Sequence, residues 1–214
     1  MPQTTFIDLR QEWQEAWQVV LFRRRVISGV VIVAALLSTF PVFFQHIELR
    51  HGLLLNDPVL AMLPPHNVSI PLFIVIWAIG GFSIFRAAQT PQMFLTFTWA
   101  FIFLSLFRVL TITLVPLDPP TGLIPLVDPL SNFFYGAKFV TKDLFFSGHT
   151  STCFLLFLTI PGRSDKKLAL AATFIVGFLL LVQHVHYALD VLGGFLFAWI
   201  SYLIATRLIL RPRN

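Results

Sequence analysis

The chain has 214 residues, of which 57% are hydrophobic and only 12% are charged, and its mean hydropathy is +0.81. A soluble domain of this length carries about twice that charged fraction, so the composition excludes an ordinary soluble protein. In a membrane protein the lysines and arginines mark the cytoplasmic loops, so the net charge of +5 does not indicate a nucleic-acid surface. Cys153 is the only cysteine, which excludes an intrachain disulfide.

Residues 1–25 differ from the rest of the chain and predict an amphipathic helix. Four apolar side chains recur at helical spacing: Leu9, Trp13, Trp17 and Val20. Indole rings on such a face favour a helix that lies at headgroup level on the membrane surface. A helix that binds a partner protein is the alternative. Residues 26–214 then form one membrane-spanning domain.

Six apolar segments in that domain predict transmembrane helices, because each approaches the roughly 20 residues that a bilayer requires. We place them near residues 26–45, 71–88, 93–115, 145–161, 168–183 and 187–208. Proline-containing loops, about 46–70 and 116–144, interrupt the pattern because proline cannot continue a helix. The sequence therefore predicts an all-α bundle of six membrane-spanning helices.

The basic residues predict the orientation of this bundle. With the N-terminus inside, 11 of the 15 lysines and arginines fall in cytoplasmic segments. Both termini are then expected in the cytoplasm by the positive-inside rule. Short loops and a compact chain favour a bacterial inner membrane.

Two short motifs, FFSGHT and HVHYALD, place histidines and an acid in otherwise apolar sequence. His149 and His186 are separated by two predicted spans joined by the basic turn PGRSDKK. A helical hairpin of this length returns to the side from which it started, so both histidines are expected at the same, non-cytoplasmic side. A lone membrane histidine is often only a hydrogen-bond partner between helices. Three ionisable groups together favour a working site.

The spacing within each motif suggests a division of chemical labour. His186 and Asp190 are four residues apart at the start of the sixth span, so the carboxylate can fix the imidazole tautomer. His149 follows Ser147 and Gly148 at the start of the fourth span, where free backbone N–H groups suit a phosphate. Phosphoryl transfer can use two histidines in this way, because one attacks phosphorus and the other protonates the leaving oxygen.

Arg108 is predicted to join this site from the third span, because an unpaired guanidinium in a membrane is costly and a phosphate would match its planar fork. A salt bridge to Asp143, Asp118 or Asp57 is the alternative. Asp143 itself is expected to orient His149 or the head group. No metal site or cofactor is expected, because His184 and His186 are too closely spaced to share one face of a helix.

At these residues the sequence resembles the sphingomyelin synthase branch of the type 2 phosphatidic acid phosphatase superfamily. The branch carries D-x3-S-G-H-T, matched by residues 143–150, and H-x-H-Y-x-x-D-V, matched by residues 184–191. A third block, an arginine followed by a Thr-rich stretch and a Pro-rich turn, is similar to residues 108–120. The resemblance extends from about residue 50 to residue 200.

The resemblance implies six membrane helices and a His–His–Asp triad that opens to the exoplasmic leaflet. His186 would attack the phosphorus of a phospholipid head group, Asp190 would orient it, and His149 would act as acid and then as base. Contacts to the substrate or its phosphate are expected from five residues of the motifs: Arg108, Asp143, Ser147, Gly148 and Tyr187. The membrane phospholipid is then the implied partner.

Three functions remain open at this point. The first is transfer of a phospho-head group to a lipid hydroxyl such as that of ceramide. The second is hydrolysis of a lipid phosphate or phospholipid by the same triad, with water as the acceptor. The third is a non-enzymatic transporter or scaffold that retains the site without using it.

Overall fold

The computed structural model describes residues 6–126 and 139–209, which are helical or loop and contain no strand beyond one isolated bridge. The helices are α1 (Phe6–Gln18), α2 (Val20–Glu48), α3 (Pro58–Ala61), α4 (Ser69–Gln89), α5 (Pro91–Leu114), α6 (Gly148–Thr159), α7 (Arg163–Val182) and α8 (Ala188–Ile204). A π-helical turn, Ala205–Ile209, continues α8. The predicted all-α class is therefore confirmed.

Four of these helices are long and apolar enough to cross a membrane: α2, α4, α5, and α8 with its π-helical turn. The 20 residues of α7 begin with a charged turn that contains Asp165. The 12 residues of α6 rise about 18 Å, less than the roughly 30 Å of a bilayer core. The protein is thus a membrane-helix protein, whereas the number of six spans stays a prediction. Residues 1–5 and 210–214, which include both termini, lie outside the described residues.

The helix starts differ from the predicted ones for local reasons. Helix α2 begins at Val20, so the three consecutive arginines lie inside its first turns rather than before it. Helix α6 begins at Gly148 and not near residue 145, because Ser147 caps it by accepting a hydrogen bond from the Thr150 N–H at 3.2 Å. The sequence pattern cannot show this boundary because Phe145 and Phe146 continue the apolar run.

Helix α1 docks one of its faces on the turn between α4 and α5. The Trp13 indole donates a hydrogen bond to the Ala88 carbonyl at 2.7 Å and packs edge-on against Phe22 and Phe94. Trp17 remains 41% exposed. The helix predicted for residues 1–25 is present over Phe6–Gln18, and its position at a membrane surface stays a prediction.

Helix α6 lies at the centre of the fold. It packs against α7 and α8 most closely and also contacts α5 and α4. One buried cluster joins α4, α6 and α7 through residues such as Ile79, Cys153 and Val176, and a second joins α5, α6 and α8. Helix α2 packs against α5 on the outside of this core. The short α6 is therefore held in place on several sides.

Two loops cover the end of the bundle at which α6 and α8 begin. Residues 49–68 and 115–126 are joined by a parallel bridge between Leu53 and Leu117. Both loops are tied to the α7–α8 turn by the amide of Gln183, which is fully buried. Its Oε1 accepts from the Val68 N–H at 3.1 Å, and its Nε2 donates to the Pro125 carbonyl at 3.2 Å. A cap of loops thus fixes the end where the two motifs lie.

Candidate active site

The two sequence motifs are in direct contact at this end of the bundle. The Ser147 N–H donates to the Asp190 carbonyl at 2.9 Å, and the Phe145 N–H donates to Asp190 Oδ1 at 3.1 Å. Gly194 allows this approach, because a Cβ atom there would lie 3.2 Å from the Ser147 carbonyl oxygen. The predicted meeting of the two motifs is therefore observed.

His186 and Asp190 form a buried pair. His186 Nδ1 lies 3.1 Å from Asp190 Oδ2, and the two side chains are 4% and 0% exposed. The contact was predicted from a shared helical face, and that reason is wrong: α8 begins at Ala188, so His186 precedes the helix. The chain instead turns back at Tyr187, whose N–H donates to the same Oδ2 at 3.2 Å.

This pair defines which nitrogen of His186 can react. A carboxylate only accepts hydrogen bonds, so the Nδ1 that faces Asp190 carries a proton. In the neutral ring Nε2 then keeps its lone pair, as a nucleophile requires. Asp190 accepts three N–H groups in all, from His186, Tyr187 and Phe145, which fixes its orientation.

His149 lies in the first turn of α6, where it is partly buried and lines a cavity. Ser147 immediately precedes the helix and is fully buried. Its hydroxyl accepts the capping hydrogen bond of α6, so its first role is to start that helix.

Arg108 and Asp143 form an ion pair beside this turn. The alternative weighed for Arg108, a salt bridge to Asp143, is thus present. The guanidinium lies directly on Gly148, where an added Cβ would overlap Arg108 Nη1. Arg108 Nε is buried, and no described residue accepts a hydrogen bond from it. The guanidinium therefore retains donor capacity for an anion.

A cavity of about 480 Å³ extends from these residues into the bundle, and we call it the Arg108 cavity. Its polar end is formed by four of the predicted site residues: Arg108, Asp143, Gly148 and His149. The remaining lining is mostly apolar and comes from α2, α4, α5, α6 and nearby loop residues. His186 is not among the described residues that line this cavity. The structure thus brings His149 and Arg108 to the cavity wall and keeps His186 buried against Asp190.

Tyr187 occupies a different environment from the one predicted. Its ring is 1% exposed among Leu60, Leu117 and Leu144. Its hydroxyl donates to the Asp118 carbonyl at 2.8 Å and accepts from the Leu55 N–H at 3.3 Å. Tyr187 therefore anchors the loop cap and does not line the Arg108 cavity.

Among the described residues, two that are not glycine have a positive φ, and each lies in one of the two motifs. Phe145 has a φ of 90° and His184 a φ of 54°. Such backbone costs about 1–3 kcal/mol and persists only where the surroundings determine it. The Phe145 N–H is held by Asp190, and the His184 ring nitrogens lie 2.9 and 2.8 Å from the carbonyls of Thr121 and Leu63. The strain is thus confined to the turns that carry the site.

Glu48 is a site-supporting residue that the sequence analysis did not identify. Its Oε2 accepts from the N–H groups of Thr141 and Lys142, at 3.0 and 3.2 Å, and so holds the segment that leads to Asp143. Lys142 pairs in turn with Asp118 at 2.9 Å. The available signal was a carboxylate at the end of an apolar span, in HIELRH.

The hydrogen bond from Lys142 is the main reason that the pKa of Asp118 lies below its ordinary value. The nearby charge of Lys142 and the Gly52 N–H, which donates to Asp118 Oδ1 at 3.2 Å, act in the same direction. Asp118 is therefore a charged tie between the loop cap and the segment before Asp143.

Comparison with known proteins supports a family for this part of the chain. Residues 142–207 match the family model described as PAP2 superfamily C-terminal, and the matched range contains both motifs. The match supports the type 2 phosphatidic acid phosphatase superfamily, whose members are usually lipid phosphatases or phosphotransferases. It does not single out the sphingomyelin synthase branch. No curated protein and no solved structure matched the chain.

Proposed function

We propose that this chain is a membrane lipid phosphotransferase that moves a phospho-head group from a glycerophospholipid to a lipid hydroxyl, such as that of a ceramide-like acceptor. The observation that carries the proposal is the buried pair of His186 and Asp190 in direct contact with the segment that carries His149. The family match over residues 142–207 supports the same class of reaction.

The first chemical step uses both histidines. Nε2 of His186 forms a bond to phosphorus while the bond from phosphorus to the glycerol oxygen breaks, and His149 gives its proton to that oxygen. Diacylglycerol leaves, and the head group stays on His186 as a phosphohistidine. Asp190 stabilises the ring as it gains positive charge, because its carboxylate already accepts from Nδ1.

The second step reverses the roles. His149 takes the proton of the acceptor hydroxyl, whose oxygen bonds to phosphorus while the bond between phosphorus and His186 breaks. Both histidines return to their starting states. Arg108 lines the same cavity as His149, and no described residue accepts a hydrogen bond from its Nε, so it is placed to hold the phosphate oxygens through both steps.

The proposal includes an arrangement in the membrane. Helices α6 and α7 form a hairpin and complete six spans, with both termini in the cytoplasm and the site at the exoplasmic side. Residues 1–25 lie at the cytoplasmic surface, in what we expect to be a bacterial inner membrane. The excess of basic residues in the segments predicted to be cytoplasmic supports this orientation.

Hydrolysis is the second candidate function. The family match supports it equally, because the matched range contains His149, His186 and Asp190 but says nothing about the acceptor. With water in place of the lipid hydroxyl, the same two steps release the phosphorylated head group, or free phosphate from a lipid phosphate.

The test is a product assay with purified protein in liposomes. The protein is incubated with a labelled phospholipid, and separately with phosphatidic acid, with and without ceramide, and the products are identified by mass spectrometry. A new sphingophospholipid that requires ceramide supports transfer, whereas a free head group or phosphate supports hydrolysis. His186→Ala should abolish either product and also the acid-labile labelling of the protein that a phosphohistidine predicts.

A matched control is His51→Ala, because His51 is an exposed loop histidine outside the motifs. This variant should keep full activity. If wild-type protein converts none of these lipids, or if His186→Ala retains activity, the proposed function is wrong.

A further inference from the structure

We propose that the Arg108 cavity binds one acyl chain of the substrate lipid, and that the chain enters sideways between α2 and α4 past Gly80. This inference rests on the proposed function for the identity of the head group, but not for the occupant of the apolar part. Gly80 then determines whether a long-chain lipid can bind, because the acyl chain must pass this residue.

The shape and chemistry of the cavity select the class of ligand. Its volume of about 480 Å³ lies in the range of roughly 300–1,000 Å³ that is typical of small-molecule sites. One end presents Arg108, Asp143 and His149, and the other is formed by apolar side chains such as Ile76 and Phe101. An anionic head group joined to a hydrocarbon chain complements both ends at once.

The cavity is about 10 Å deep along two of its walls. On α5 its lining runs from Arg108 to Phe101, and on α6 from His149 to Leu156, which is seven residues in each case. At 1.5 Å per residue each wall spans about 10 Å. A long acyl chain is longer than this, so it must leave the cavity through an opening on its side.

Three residues mark that side opening: Leu37 on α2, and Trp77 and Gly80 on α4. All three line the cavity, and Leu37 is 40% and Trp77 is 49% exposed. A Cβ atom added at Gly80 would meet no atom within 4 Å. The two exposed side chains and the open space at Gly80 are the basis for placing the opening between α2 and α4.

The side opening lies at the depth of lipid hydrocarbon. Leu37 is eleven residues from the end of α2 at Glu48, and Gly80 is eleven residues from the start of α4 at Ser69. Both positions are thus about 16 Å from the helix ends that lie near the site, roughly half the thickness of a bilayer core. An acyl chain that passes there stays among other acyl chains.

Helix α2 carries a local weakness at the same level. Pro41 lies inside α2, and a proline cannot donate to the carbonyl four residues earlier, which is that of Leu37. Helices bend most readily where this hydrogen bond is absent. The α2 edge of the side opening is therefore the edge expected to move when a chain enters.

The experiment compares two substitutions of neighbouring glycines on α4. Gly80→Leu places a side chain in the side opening, whereas Gly81→Leu is a matched control. Gly81 also has no atom within 4 Å of an added Cβ but does not line the cavity. Both changes raise helix propensity equally, so folding should be preserved in both proteins.

Activity is measured on a dioleoyl phospholipid and on its dibutyryl analogue with the same head group. Gly80→Leu should lower kcat/KM for the long-chain lipid by about tenfold or more and leave the short-chain analogue nearly unchanged. Gly81→Leu should match wild type on both. Equal activity of Gly80→Leu and wild type on the dioleoyl lipid would overturn the inference.

A second readout does not require catalysis. Phosphatidic acid with a photoreactive group on one acyl chain is crosslinked to the protein in liposomes, and the labelled peptides are mapped by mass spectrometry. Labelling of α4 and α5 at the cavity wall, reduced in Gly80→Leu but not in Gly81→Leu, supports the site even in a protein with no activity on these lipids. Labelling confined to outer surfaces, or unchanged in Gly80→Leu, contradicts it.

Discussion

The two walls of the Arg108 cavity are built differently. The lining residues of α5 and α6 are buried or half-buried, and Leu104 and Leu156, for example, are only 3% and 7% exposed. The facing wall from α2 and α4 contains Leu37 and Trp77, which are 40% and 49% exposed. Chemistry requires groups that are held in place, and binding a lipid requires a wall that can admit it. Under the proposed function, one wall would position the reacting groups and the other would admit the substrate.

The largest expected effect comes from a substitution at Gly148, in the cavity wall formed by α5 and α6. Gly148→Ala adds a Cβ that would overlap the guanidinium of Arg108, so that side chain must leave its place. Removing one preorganised donor costs about 10²–10³ in rate, so kcat/KM should fall about as far as in Arg108→Ala. Steady-state kinetics on the substrate identified by the product assay measures both variants.

The control for this change is Gly81→Ala, a helical glycine with open space around an added Cβ. It should leave kcat/KM unchanged. If Gly148→Ala keeps wild-type kinetics while Arg108→Ala does not, the contact between Gly148 and Arg108 has no role in the reaction.

A smaller effect is expected at Glu48, which acts on the site only through the backbone. Glu48→Ala removes the acceptor for the N–H groups of Thr141 and Lys142, so the segment before Asp143 should shift. We expect kcat/KM to fall by about tenfold, since small misplacements of positioned groups slow reactions. Kinetics of the purified protein in detergent or liposomes measures the change.

Glu48→Gln is the variant that separates positioning from charge. Its amide oxygen can still accept from the two N–H groups, so most of the activity should return. Equal loss of activity in Glu48→Gln and Glu48→Ala would show that the negative charge, and not the hydrogen bonds, is what the site requires.

The smallest expected effect is on stability, at the loop cap. The pKa of Asp118 is held below its ordinary value of 3.8, mainly by the hydrogen bond from Lys142. A lowered pKa means that the carboxylate stabilises the fold above its ordinary pKa and loses this contribution as the pH falls through the lowered value. Asp118→Asn should therefore lower the Tm at pH 7 by about 2 °C or less and by a smaller amount at pH 3.

Thermal unfolding of wild type and Asp118→Asn in detergent at both pH values makes this comparison. A difference in Tm that grows as the pH falls would contradict the expected sign. Activity at pH 7 should change little, because the amide oxygen of Asp118→Asn can still accept from Lys142 and from the Gly52 N–H.

Much of this arrangement could be predicted from the sequence, because it depends on local pattern. Long apolar runs predicted the helical class. They also predicted six membrane-spanning helices, and four of the described helices are long and apolar enough to cross a membrane. The spacing of the motifs around a short basic turn gave their meeting at one end of the bundle. The alternative weighed for Arg108, an ion pair with Asp143, was also available from the sequence.

The remainder depends on contacts between distant residues, which periodicity does not report. Gln183 is 115 residues from Val68 along the chain, and Glu48 is 93 residues from Thr141. Tyr187 belongs to a motif that contains the proposed catalytic residues, yet its hydroxyl is used to hold Asp118 and Leu55. Neither a motif nor a hydropathy pattern distinguishes a side chain that contacts substrate from one that supports its neighbours.

The three hydrogen bonds that converge on the Asp190 carboxylate have a consequence for genetics. The same two oxygens orient the proposed nucleophile, begin α8 and fix the strained turn at Phe145. A screen that scores only cellular activity would then class every replacement of Asp190 as inactive without revealing whether the protein was made. Parallel measurement of protein abundance would separate these outcomes, with Asp190 depleted in both assays and His186 depleted mainly in the first.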